Sequence, residues 1–278
     1  MIRTLQAIRP YFTLSPKQYV SSLVAVAVAI LYTCFSYQHL YLLGAITLAA
    51  LALLLFTLPR AERQYLSIFL GVGALATLTP VTAHTTYPPA AALFAFMMVS
   101  VVVLPQFFSN RVFGQHLIHF NLDWHRKWRW WEVSYVAFAA LVAYLAFPAY
   151  FSDTGAYTAW NLEPNVVQLA VVFAGVMLVG MWEEFFFIGT VYNILRRYMP
   201  AVLANVVQAT MFTMFLYRVG FRYYAVGFIF CYAFIQGLLF AKTKSLLCVL
   251  TVHFFVDLVL FLALVHAFFP TWMPIFIT

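Results

Sequence analysis

Apolar residues run in long uninterrupted blocks along this chain, and polar residues gather in the short links between them. Most blocks are about 18 to 22 residues long, the length of helix that crosses a hydrocarbon core of roughly 30 Å. The pattern predicts an all-α fold, a multi-pass transmembrane helical bundle of about eight or nine spans, forming one integral-membrane domain over residues 1–278. A transmembrane barrel does not fit, because its strands would alternate apolar and polar positions in segments of about ten residues.

Arg3, Arg9 and Lys17 precede the first block, Tyr19 to about Tyr37, which reads as an uncleaved signal-anchor because further blocks follow it. The second runs from about Leu40 to Leu58, the third from about Tyr65 to Val81, and the fourth ends near Phe108. Residues 110–131 are too polar to span and too aromatic for a free linker, so they are expected along the headgroup layer as an interfacial basic and aromatic segment. The fifth block covers about Trp131 to Phe151, and the sixth starts at Val166 and reaches Arg196 and Arg197. Pro200 opens a seventh that reaches Tyr217, an eighth runs from Tyr223 to Ala241, and a ninth from Leu246 to Phe268.

Composition agrees with this reading: 65% of residues are hydrophobic and 8% charged, whereas soluble domains are about 45–50% apolar and about 25% charged. A net charge of +7 would suggest nucleic acid in a soluble protein. Here the Lys and Arg residues cluster in the links, as topology signals and lipid headgroup contacts do, so the lipid bilayer is the expected partner and nucleic acid is not. Counted link by link, they put the N-terminus and the links after blocks two, four, six and eight on the cytoplasmic side. Arg218 and Arg222 depart from that pattern and are expected in a pocket or at a helix cap. Cys34, Cys231 and Cys248 stand singly in apolar blocks and read as small packing residues.

Against this background Glu183 and Glu184 are anomalous. Each carboxylate near the middle of a membrane helix costs roughly 2.5–3.5 kcal/mol on insertion scales, and such a pair usually marks a function. The two lie about twelve residues before Arg196, roughly 18 Å of helix. His253 and Asp257 are one turn apart on one face of the last block, and His253 is about nine residues, roughly 14 Å, past Lys244. All four therefore reach similar depths. One glutamate of such a pair can take a proton from water while an imidazole donates to an oxyanion. The same groups can also form a proton or cation relay, or a polar cluster that only ties helices together.

Glu-Glu, two residues, Phe, a variable position and Gly, followed by a Phe-rich block and then His-x-x-x-Asp on the last block, resembles the CAAX protease and bacteriocin-processing family. These are glutamate intramembrane endopeptidases, and the resemblance covers roughly residues 165–262. It implies Glu183 as the water-activating base, Glu184 as its paired carboxylate, and His253 and Asp257 as groups that hold the oxyanion or position water. No cofactor and no metal is implied. The family's first motif, EExxxR, has Ile188 in place of its arginine, and the second, FxxxH, begins at Phe212 and has Leu216 in place of its histidine. The implied activity is cleavage of a membrane-anchored or lipidated peptide or protein, in the bacterial cytoplasmic membrane, with the N-terminus inside. Ile188 and Leu216 favour an alternative, a non-catalytic relative that binds a membrane peptide or partner protein. A proton-coupled transporter is a third reading, although the chain shows no repeats or paired broken spans.

His116 and His119, with Asp123 and His125, have a spacing that allows a shared metal, but headgroup contact is the preferred expectation. Trp124, Trp128, Trp130 and Trp131 are expected as an interfacial belt. Asn205, Gln208 and Gln236 are expected to tie helices together or to line the polar cavity, and Met177, Met181, Met211 and Met214 are read as packing residues.

Overall fold

The computed structural model describes residues 41–58, 88–114, 120–160, 162–196 and 199–276, with Ile118 and scattered positions between Ser15 and Gly71. The first and third apolar blocks lie largely outside the described residues. The second and fourth contain helices α1 (Tyr41–Leu55) and α2 (Pro88–Phe107). Then come α3 (Trp130–Thr154), α4 (Val166–Glu183), α5 (Ala201–Val219), α6 (Ala225–Thr243) and α7 (Leu246–Phe268). Beyond Glu183, α4 continues without a break through a π-helical stretch, Glu184–Tyr192, and a last turn, Asn193–Leu195. No strand occurs among the described residues.

Among the described residues, five helices are long and apolar enough to cross a membrane: Trp130–Thr154, Val166–Leu195, Ala201–Val219, Ala225–Thr243 and Leu246–Phe268. They coincide with the last five expected spans to within about three residues at each end, inside the usual uncertainty of helix boundaries. Eight or nine crossings were expected for the whole chain, and five are carried by the described residues.

The ends of these helices follow local chemistry. The Asn165 side chain accepts from the backbone N–H groups of Val167 (2.8 Å) and Gln168 (3.4 Å), capping α4. The Ser245 hydroxyl accepts from Cys248 N–H (3.3 Å) at the start of α7. Gly155, at φ 65°, closes α3 in the left-handed conformation that glycine adopts at little cost.

The segment from Phe120 to Arg129 is irregular and packs under the ends of the helices. Asn121 holds it there, donating to the Lys244 carbonyl (2.7 Å) while its own carbonyl accepts from Leu246 N–H (3.0 Å). Arg126 donates to Glu132, which is 1% exposed, so a buried ion pair joins the segment to α3. Lys242 lies 4.0 Å from the Trp131 ring. Lys244 is held below the ordinary lysine range, partial desolvation being the larger cause and the like charge of Arg196 the smaller.

Helix α7 packs along α3 and α4, and α5 pairs with α6. Two apolar clusters form along α7. One takes in Leu246, Val249 and Val252 with Phe186–Leu195 side chains, Phe212 and Phe240. The other takes in Leu260, Ala263 and Leu264 with Tyr150, Phe151 and Val176. His253 and Asp257 occupy the stretch of α7 between the two clusters, and α4 brings its two glutamates to that level.

Candidate active site

Glu183 and Glu184 stand where α4 changes from α- to π-helical hydrogen bonding. Side chains add hydrogen bonds to carbonyls of the π stretch. The Thr190 hydroxyl donates to Phe185 O (3.0 Å), and the Asn193 amide donates to Gly189 O (2.9 Å). Gly189 has no Cβ, and the Phe120 ring occupies that space, because an added Cβ would lie 2.7 Å from its Cε1. Local widening of this kind is frequent at functional positions.

His253 connects the two helices. Its Nδ1–H donates to Glu184 Oε1 at 2.7 Å. That leaves Nε2 facing Glu183 Oε2 at 3.4 Å and Asp257 Oδ1 at 3.6 Å, separations long for direct hydrogen bonds. The structure thus brings together all four residues expected from the sequence. They are 2–7% exposed, in a setting where unscreened charges interact strongly. Glu184 Oε2 is buried without a hydrogen-bond partner among the described residues.

Aromatic rings enclose the cluster. Phe212 meets the His253 ring edge-on at 6.1 Å, and Tyr232 of α6 does so at 5.6 Å. Phe187 packs on Phe212 at 5.2 Å, and Trp182 stacks on Phe186 at 5.0 Å. The Trp182 indole N–H donates to Met98 O (2.6 Å), which ties the site to α2.

Two further residues shape the site, and neither is evident from a motif. Gly180 lies one turn before Glu184. A Cβ there would overlap the Asp257 carboxylate and approach His253 Cδ2 to 3.1 Å, so only glycine lets α4 and α7 come this close. Tyr232 accepts a hydrogen bond from Gln236 (2.6 Å) and lies within electrostatic reach of Glu184 and Asp257.

The positions that depart from the family motifs are filled by packing. Ile188 is 2% exposed in the larger apolar cluster. Leu216 packs half-buried against the same cluster. Arg222 lies over the Tyr217 ring at 3.5 Å, and its backbone N–H donates to the Tyr150 hydroxyl (3.0 Å) at the α5–α6 turn. Among the described residues, Glu184 pairs with His253 alone.

Asn205 donates to Phe234 O (2.7 Å) and Gln208 to Ala233 O (2.9 Å), so these two tie α5 to α6, beside Gly237. Gln236 behaves differently, since its partner is Tyr232 at the site. His116 and His119 lie outside the described residues, while Asp123 accepts from the backbone N–H of His125 (3.0 Å).

No curated protein matches the chain, and no solved structure does. One family model does match, that of the type II CAAX prenyl endopeptidase Rce1-like proteins, over residues 165–259. With five apolar helices and a match to a membrane protease family, the chain is an integral membrane protein. Its resemblance to the CAAX protease and bacteriocin-processing family lies in the stretch that holds Glu183, Glu184, His253 and Asp257.

Proposed function

We propose that this chain is an intramembrane endopeptidase that cleaves a membrane-anchored or lipidated peptide by glutamate-activated water. The observation that carries this reading is the buried cluster in which His253, fixed by Glu184, turns its second nitrogen toward Glu183. A water within hydrogen-bond reach of both Glu183 Oε2 and His253 Nε2 forms the apex of a triangle over their 3.4 Å gap. Glu183 takes a proton from that water, and the oxygen attacks the peptide carbonyl carbon. The carbonyl π electrons move onto its oxygen, which needs a hydrogen-bond donor as charge develops. When the C–N bond breaks, Glu183 returns the proton to the leaving amine. Glu184 holds the imidazole, and Asp257 faces Nε2 at 3.6 Å. Because the four residues are nearly enclosed, substrate contact requires neighbouring side chains to move.

Purified protein in proteoliposomes, given a lipid-anchored peptide and excess chelator, is expected to release fragments of one defined cleavage, read by mass spectrometry. An intact peptide at long incubation would count against the reading. Ile188 and Leu216 favour a second reading, a non-catalytic relative that retains a membrane peptide. Under that reading the wild-type protein binds the peptide without turnover, and cleavage emerges only when Leu216→His and Ile188→Arg are introduced together.

A further inference from the structure

We propose that Tyr232 is the oxyanion donor of this site, supplying from α6 the polar group that Leu216 does not supply from α5. This rests on the hydrolytic reading above. Three observations converge on the phenol. Its ring meets His253 edge-on at 5.6 Å, which sets it beside the imidazole that faces Glu183. Its oxygen accepts from Gln236 Nε2 at 2.6 Å, so the phenol's own hydrogen remains for donation. Both Glu184 and Asp257 lie within its electrostatic reach.

Gln236 is fully buried, and its Oε1 has no hydrogen-bond partner among the described residues. Its amide N–H bonds the Tyr232 hydroxyl one turn earlier on the same helix, which fixes the direction of the phenol. Gln236 is therefore a positioning residue and Tyr232 a catalytic one. In the step, water oxygen bonds to the carbonyl carbon while its proton passes to Glu183. The carbonyl oxygen takes the π pair and accepts the Tyr232 O–H hydrogen bond. Collapse re-forms C=O, breaks C–N, and returns the proton from Glu183 to the amine. Tyr232 ends as it began.

Tyr232→Phe keeps the ring contacts with His253 and Phe212 and removes only the hydroxyl. In the proteoliposome assay it is expected to lower kcat by about 10²- to 10³-fold, the size of effect seen for loss of one oxyanion donor, with KM unchanged and a modest loss of thermal stability, because the buried Gln236 amide loses its acceptor. Gln236→Leu keeps the phenol but removes its orienting partner, and it is expected to lower kcat about tenfold, the size of one hydrogen bond in an enclosed site. This second variant reads the same claim if Tyr232→Phe fails to fold. Wild-type kcat in either folded variant, while Glu183→Gln is inactive, overturns the role of Tyr232 and leaves the hydrolytic reading standing. Absence of wild-type turnover overturns the hydrolytic reading, and this inference with it.

Discussion

Glu183→Gln is expected to lower kcat on a membrane-anchored peptide by roughly 10²- to 10⁴-fold, the range associated with loss of a general base, without unfolding the protein. The amide is close in shape to the carboxylate but cannot take a proton from water. Its effect on stability is expected to be small for a geometric reason. Glu183 faces His253 at 3.4 Å, whereas the direct hydrogen bond across the helices, at 2.7 Å, belongs to Glu184. The Glu184–His253 tie therefore survives in the variant. Thermal melting in detergent separates the two effects, with an unchanged midpoint expected beside the lost turnover.

Gly180→Val is expected to damage both fold and turnover. Its Cβ would occupy the space of the Asp257 carboxylate and press on His253, and overpacking of this kind typically costs about 1–3 kcal/mol. Relief requires α4 and α7 to separate or His253 and Asp257 to swing away. A displacement of about 1 Å at a reacting group can cost about 10²-fold in rate. Gly175, on the same helix, is the internal control, because nothing lies within 4 Å of a Cβ built there. Gly175→Val is expected to leave melting temperature and turnover close to wild type. Equal behaviour of the two valine variants would contradict the close helix contact at Gly180.

The last five helices were legible because each couples a long apolar block to a capping or breaking residue at its start or end. Asn165, Pro200, Gly220 and Ser245 flank helices at the positions their chemistry favours. Convergence of Glu183 and Glu184 with His253 and Asp257 was legible from depth alone, since distance along a helix fixes distance from its end. What the pattern did not carry were features that depend on neighbours. The π-helical stretch after Glu183 is stabilised by Thr190, Asn193 and the Phe120 ring, residues of ordinary type whose roles emerge only once packed. Gly180 is one of several glycines in apolar helices, and only the approach of Asp257 distinguishes it from Gly175. Tyr232 sits in an aromatic-rich block where nothing marks one ring from another, although Gln236 one turn on, a buried-type polar residue at i+4, was a usable signal. The motif departures also take on physical meaning in three dimensions. Ile188 lies buried in the larger apolar cluster, so packing fills the position where the family motif has a charge.

The central claim is that Glu183 activates water and does not itself attack the peptide. A single turnover in ¹⁸O-labelled water, with enzyme in excess over a membrane-anchored peptide, tests it most directly. The expected result is one ¹⁸O in the new carboxylate of the product and none in the enzyme peptide that contains Glu183. Label appearing on Glu183, with an unlabelled product, would mean that a covalent acyl-glutamate had formed and been hydrolysed, and would contradict the account.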